Sequence, residues 1–493
     1  MTLIWEKIEG YCHTQADQLA VIGIDRTYSW FELQQTTLEL AEQLSTASDK
    51  VVAFYADNSP EWVMIDLACQ HAGVTLIPLP AFFSDLQLRH ALQQAGATAI
   101  IHNKKDRLSQ LVSLVDSDTR NLSPIGLLFS ELNQLAVLLP PETAKITFTS
   151  GSTGQPKGVC LSNAQQLKVA HSLLKATELV APRHLSILPF STLLENIGGI
   201  YAPLLAGGTV IALPHDALGF NGSSGFDLSS LLATISRYQP NSMILLPELL
   251  LALVSAVKQG WQAPSSLKFI AVGGSKVSVS LLRQAQEIGL PVHEGYGLSE
   301  CGSVVSLNTP RESLQGSVGK VLDHVTVSIE NNEVIVAGNT FLGYINEPDT
   351  WLQEKVNTGD LGYFDEQGYL HINGRKKNLL ISSFGRNINP EWVESELLSN
   401  ALLQQCVVFG DAKPYCIALI YPRDNTTSNE TVQSWIDNIN RTLPNYARIQ
   451  HWFRLVEPLA FDNGQMTSNG RPVRSKIHQD YATVIEQLYL KDQ

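Results

Sequence analysis

The segment that most limits how this chain folds is Ile146-Thr-Phe-Thr-Ser-Gly-Ser-Thr-Gly-Gln-Pro-Lys-Gly-Val159, a β-rich run that breaks into glycines and hydroxyls and closes on a lysine. Gly151 and Gly154 let backbone N–H groups approach an oxygen-rich ligand, and the hydroxyls of Thr149, Ser150, Ser152 and Thr153 can donate hydrogen bonds. Lys157 adds a point charge, so a loop of this kind can cradle a polyphosphate. It is not a Walker A loop: Pro156 precedes the lysine where that motif demands glycine, and Gly158 follows where serine or threonine belongs. The Pro-Lys-Gly ending equally separates it from a flexible Gly/Ser linker.

The loop needs a sheet to carry it, and the pattern around it supplies one. Apolar β-rich runs at Lys50-Val-Val-Ala-Phe-Tyr55, Ala99-Ile-Ile-His102 and Lys268-Phe-Ile-Ala-Val272 alternate with amphipathic stretches such as residues 29–44. That alternation predicts an α/β fold of parallel sheets with flanking helices, with ligands at the connections that follow the strands. The 493 residues exceed the roughly 250 to 300 over which one core keeps growing, so at least two domains are expected. Residues 316–370 read as a small β subdomain of short strands and Asn/Gly/Asp turns. After Gly374 comes a basic run, Arg375-Lys376-Lys377, and then a fresh α+β pattern that begins with a helix over 390–398. The expected division is a large N-terminal domain, residues 1–374, a hinge near 375–377, and a small C-terminal domain, residues 375–493.

Charge and cysteines narrow the function classes. The net charge is −13 with basic residues scattered along the chain, which argues against nucleic acid as a partner. The most apolar stretch, residues 243–257, is interrupted by Pro247 and Glu248 and falls short of the ~20 residues of a bilayer span, so a buried helix is expected there. Peripheral contact with a membrane stays compatible with the chain. The start, MTLIWEKIEGYC, lacks a basic stretch followed by an apolar run, which reads as cytoplasmic. Cys12, Cys69, Cys160, Cys301, Cys406 and Cys416 form no CxxC pair and read as reduced thiols.

The phosphate-loop segment resembles the signature TSGSTGxPKG of the adenylate-forming superfamily, which includes acyl-CoA synthetases, peptide-synthetase adenylation domains and firefly luciferases. Further motifs follow in order: Glu294-Gly-Tyr-Gly-Leu-Ser-Glu300 is similar to YGxTE, Thr358-Gly-Asp360 to TGD, and Gly374-Arg375 with Asn387-Ile-Asn-Pro390 to the hinge motif. The resemblance implies that Tyr296, between Gly295 and Gly297, stacks on adenine, that Ser299 approaches the α-phosphate, and that Glu300 holds Mg²⁺. It implies that Asp360 binds the ribose hydroxyls, that Arg375 contacts ribose or phosphate, and that Lys377 is the hinge. Magnesium prefers hard oxygen ligands and a carboxylate accepts paired hydroxyl hydrogen bonds, so each role suits its residue type.

Within the superfamily the hinge segment resembles that of the bacterial long-chain fatty acyl-CoA synthetases, which implies membership of that branch. Lys377 and Gly385 are separated by seven residues, one more than in many members, and Leu188-Pro-Phe-Ser-Thr-Leu-Leu-Glu195 resembles LPLSHxxE with Thr192 at the usual histidine. Thr192, Gly273, Gly274 and Gly385 are the expected acyl and thiol tunnel positions, with residues 243–257 as a candidate wall. Near the C-terminus, Met466-Thr-Ser-Asn-Gly-Arg-Pro-Val-Arg474 resembles the segment carrying the adenylation lysine, and Arg471 stands at that position. Arginine keeps the charge but spreads it over a planar fork. Lys476 is an out-of-register alternative.

The resemblance implies ATP-dependent activation of a carboxylic acid, a medium- or long-chain fatty acid, with Lys157, Glu300 and Arg471 catalytic and ATP, Mg²⁺ and CoA required. One alternative passes the acyl group to the phosphopantetheine of an acyl carrier protein. Another is a nucleotide-binding pseudoenzyme, favoured by the Arg471 replacement. The spacing in Gly297-Leu-Ser-Glu-Cys-Gly302 does not make a GxSxG elbow, which argues against a serine hydrolase.

Overall fold

Serines open several of the helices that cover the sheets. The Ser29 hydroxyl accepts a hydrogen bond from the Glu32 N–H while the Glu32 carboxylate accepts one from the Ser29 N–H, and this reciprocal cap starts the helix Trp30–Leu44. Ser84 with Gln87 and Ser162 with Gln165 repeat the arrangement at Asp85–Gln94 and Asn163–Thr177. The amphipathic stretch 29–44 is thus a helix, and it buries Trp30, Leu33, Leu40 and Leu44. The computed structural model describes residues 3–47, 50–81, 83–103, 119–134, 137–149, 157–221, 225–467 and 470–490.

Two large sheets lie under these helices. The first places Val292–Tyr296, Phe269–Val272, Ser242–Leu245, Arg183–Leu185, Thr209–Ile211 and Leu19–Ile22 side by side in parallel, with antiparallel strands at both edges. The second has parallel Lys145–Thr149, Thr75–Pro78, Val51–Tyr55 and Ala99–His102 at its centre, and Lys145–Thr149 pairs antiparallel with Lys157–Leu161. The expected strands at 50–55, 99–102 and 268–272 all form, and the central ones are buried on both faces, as parallel strands under helices must be.

The small β region is a four-stranded antiparallel sheet of Val325–Glu330, Glu333–Gly338, Lys355–Phe364 and Leu370–Arg375. One expectation needs correction. Residues 243–257 are not a single helix: Ser242–Leu245 is a strand and the helix Pro247–Lys258 starts after it. Proline cannot donate an N–H, so it suits the first helical turn and ends the strand's ladder. No helix among the described residues is long and apolar enough to cross a membrane.

The chain from Leu380 onward has its own interior. Two hydrophobic clusters there draw only on residues of this segment, around the strands Leu403–Phe409 and Cys416–Pro422 and the helix Asn429–Thr442. The helix expected over 390–398 is Pro390–Leu397, capped by Asn389.

The deepest charges hold the strand that leads to the phosphate-loop sequence. Lys145 and Asp66 are both essentially inaccessible, with Nζ 2.6 Å from Oδ1. Tyr201 accepts from Lys145 at 2.7 Å and donates to Asp66, and Asn196 Nδ2 donates to Asp66 at 3.0 Å. Burial pushes the Lys145 pKa down, against the pull of Asp66. Removing one partner strands the other charge in the core, which costs about 3–5 kcal/mol. Asp66→Ala should therefore lower the urea midpoint sharply, and the double change Asp66→Leu with Lys145→Met should recover much of the loss in the same unfolding experiment.

Candidate active site

A backbone irregularity aims the central carboxylate. The ladder between Glu333–Gly338 and Lys355–Phe364 shifts register where Gly359 takes φ +70°, a conformation open to glycine at little cost. The Thr358 hydroxyl donates to the Val334 carbonyl at 2.7 Å and accepts from the Asp360 N–H at 3.0 Å, and the Gly359 N–H donates to Glu333 at 3.0 Å. The bulge is thus hydrogen-bonded on both sides and holds Asp360 in place.

Asp360 is buried, and both its oxygens have partners. The Tyr296 hydroxyl donates to Oδ2 at 2.6 Å, and Arg375 Nε lies 2.8 Å from Oδ1 while its Nη1 donates to the Thr358 carbonyl at 3.1 Å. Burial pushes the Asp360 pKa up, opposed by Arg375 and Tyr296. Burial and then the Asp360 charge push the Tyr296 hydroxyl well above its ordinary range. Tyr296 ends its parallel strand, so it stands at a carboxyl edge, where the sequence pattern expects ligands. Gly297 packs so closely that a Cβ there would lie 1.7 Å from the Ser303 carbonyl oxygen, and a Cβ on Gly273 would lie 3.1 Å from that of Gly295. These glycines let neighbouring chain segments close up around the strand ends.

A second group forms around Tyr344, which no motif singled out. Its hydroxyl donates to Glu300 Oε1 at 2.7 Å, and Lys157 Nζ lies 4.7 Å from its ring centre. Lys157 also pairs with Glu347 at 3.0 Å. The strand Gly343–Tyr344 runs beside Lys157–Leu161, with Tyr344 opposite Val159, and that pairing brings the lysine and Glu300 to one aromatic ring. Thr149 is opposite Lys157 across the hairpin. Ser150, Gly151, Ser152, Thr153 and Gly154 lie outside the described residues. Ser299 is half-buried at the start of the turn Ser299–Cys301.

Arg471 reaches this region from the C-terminal segment. It is held by Thr467, whose N–H donates to the Arg471 carbonyl at 2.7 Å and whose hydroxyl accepts from the Arg471 N–H at 3.0 Å. Its guanidinium donates to the Gly274 carbonyl. Part of the side chain stays exposed, yet protein crowds the guanidinium, and this desolvation with the charge of Arg375 pushes its pKa down while Asp360 and Glu391 pull it up. Burial and then the charges of Arg375 and Arg471 also push the Lys377 pKa down. Lys377 lies in the turn Lys376–Asn378, and Asn378 donates to Glu391 at 2.6 Å. Lys476 pairs instead with Asp480 on its own helix, and Arg474 with Glu394 at 2.6 Å inside the C-terminal segment.

The tunnel positions do not all gather here. Gly274, at φ +84°, would place a Cβ 2.9 Å from Leu246 Cδ2, so the loop after Val272 touches the start of the helix Pro247–Lys258. Thr192 precedes the short helix Leu193–Glu195 without a side-chain cap bond, and Gly385 turns the hairpin Leu380–Ile381/Asn387–Ile388 with φ +71°. Among the described residues neither hydrogen-bonds to the Tyr296–Asp360–Arg375 group.

Known proteins bear out the architecture. The chain matches the AMP-binding enzyme family over residues 8–345 and the AMP-binding enzyme C-terminal domain over residues 377–493. It is 27% identical to the 2-succinylbenzoate–CoA ligase of Bacillus pumilus over 80% of this chain and 82% of the relative. It is 24% identical to the long-chain-fatty-acid–CoA ligase FadD15 of Mycobacterium bovis, over 90% and 89%. The fold superposes on that of the anthranilate CoA ligase AuaEII, solved with anthranoyl-AMP, with a TM-score of 0.81 at 17% identity, covering 98% of each chain. The first match alone spans more than half the sequence, and the chain belongs to the AMP-binding enzymes of the adenylate-forming superfamily.

Proposed function

We propose that this protein activates a carboxylic acid as an acyl-AMP, releasing pyrophosphate from ATP, and then transfers the acyl group to the thiol of CoA. The observation that carries this reading is Arg471, delivered by the C-terminal segment to the Gly274 carbonyl beside the Asp360 group. A cation held there can stabilise the charge that develops when the acid's carboxylate attacks the α-phosphorus. The carboxylate oxygen forms the new bond to phosphorus and pyrophosphate leaves. The thiol sulfur then bonds to the acyl carbon, losing its proton, and AMP leaves.

The residues fit the nucleotide and the metal. Each Asp360 oxygen has a lone pair beyond those used by Tyr296 and Arg375, which suits ribose hydroxyls. Among the described residues Glu300 Oε2 has no hydrogen-bond donor, so it is available to a hard cation that takes its remaining ligands from phosphate and water. Mg²⁺ bound there would neutralise phosphate charge. Tyr296 offers an aromatic face at the strand end, Lys157 a charge at the foot of the phosphate loop, and Lys377 the pivot between residues 1–374 and 375–493.

For the acid, the hinge spacing, the Leu188–Glu195 segment and the likeness to FadD15 favour a medium- or long-chain fatty acid. The likeness to 2-succinylbenzoate–CoA ligases favours a second reading, an aryl-substituted acid. Pyrophosphate release over a panel of fatty, aryl and amino acids should be greatest with fatty acids and should yield thioester only when CoA is present. A clear preference for aryl acids selects the second reading, and acylation of a carrier protein without CoA turnover selects a carrier-protein ligase.

Arg471→Ala should slow single-turnover acyl-AMP formation by about 10²-fold or more while thioester formation from supplied acyl-AMP suffers less. Equal acyl-AMP rates in variant and wild type would remove Arg471 from the catalytic machinery. Glu300→Gln should raise the Mg²⁺ concentration needed for half-maximal rate and lower the maximal rate by about 10² to 10³-fold.

A further inference from the structure

The loop between Val272 and the helix Val279–Glu287 is held from the C-terminal segment at two points. Arg471 donates to Gly274, and four residues further on Ser278 donates to Glu396 Oε2 at 3.1 Å. Ser278 is also the N-cap of Val279–Glu287, accepting from the Ser280 N–H at 3.1 Å and the Leu281 N–H at 3.4 Å. The Val279 N–H lies near the Glu396 carboxylate and favours its charge. A carboxylate of the helix Pro390–Leu397 thus completes the N-terminus of a helix that belongs to the large sheet, where exposed N–H groups and the helix dipole favour negative charge. Lys276 and Arg283 lie near enough to add attraction, and Lys276 ties the same loop to the Ile372 carbonyl at 3.3 Å.

We propose that Glu396 is a positioning residue for acyl-AMP formation: its bond to Ser278, at the N-terminus of the helix Val279–Glu287, latches the C-terminal segment in the arrangement that seats Arg471 against Gly274. The inference rests on the reaction proposed above. Both contacts end on one short loop, so they form together and part together when the segment turns about Lys377. The latch serves the first half-reaction and has to open before the second.

The test measures the two half-reactions separately in the full-length protein, with the acid that turns over best in the panel. Glu396→Ala should slow single-turnover acyl-AMP formation by about 10-fold, the size of a lost charge-assisted hydrogen bond, and leave thioester formation from supplied acyl-AMP as fast as in wild type or faster. Glu396→Gln keeps an acceptor without the charge and should recover part of the loss. Ser278→Gly removes the hydroxyl while retaining a residue tolerated at an N-cap, so it should reproduce the defect at an unchanged melting temperature. Combined with Glu396→Ala it should add nothing further. Equal slowing of both half-reactions, or none in the first, overturns the latch. A wild type that forms acyl-AMP from no acid overturns the functional reading itself, which is a different result from an active wild type matched by its variants.

Discussion

The buried carboxylate of Asp360 organises the site, because a desolvated charge has to be met on every side. A glycine bulge sets its direction, and Tyr296 and Arg375 satisfy one oxygen each. These three residues come from the large parallel sheet and from two neighbouring strands of the small antiparallel one, so the Asp360 bonds also fix how those sheets meet. Arg471 joins from a third direction and completes a group in which two guanidinium ions share the field of Asp360 and Glu391. Two like charges held this close require that field, and either of them is poised to meet an added anion.

The Tyr344 group has the same logic on a smaller scale. A single ring orients Glu300 through its hydroxyl and supports Lys157 through its face. Lys157 and Glu347 are both substantially exposed, so their pairing is weak. By contrast the Asp66–Lys145 pair is fully enclosed and serves as a permanent anchor at the other end of the Lys145–Thr149 strand.

Much of this was legible in advance where a local rule governs. The capped helix at Trp30–Leu44, the strands at Val51–Tyr55 and Ala99–His102 and the helix at Pro390–Leu397 all follow from serine or asparagine caps, proline placement and apolar period. Residues 243–257 misled because an apolar run has no period of its own when a strand and a helix are both buried, and Pro247 was the sign of the break. Tyr344 and Glu396 were not legible at all. Their partners lie 44 and 118 residues away, and a tyrosine in a two-residue strand or a glutamate on a helix surface carries no local mark of such contacts.

The sequence by itself determined the family, because motif spacing along strand ends survives in one dimension. It also displayed arginine at position 471 in place of the usual lysine. Only the tertiary structure decided that this arginine meets the Gly274 carbonyl while Lys476 turns to Asp480, and that Glu396 reaches across to cap another helix. The physical reason is that hydrogen bonds and ion pairs depend on distances of a few ångströms between segments far apart in the chain. Those distances are set by how sheets and helices pack, and no local pattern encodes them.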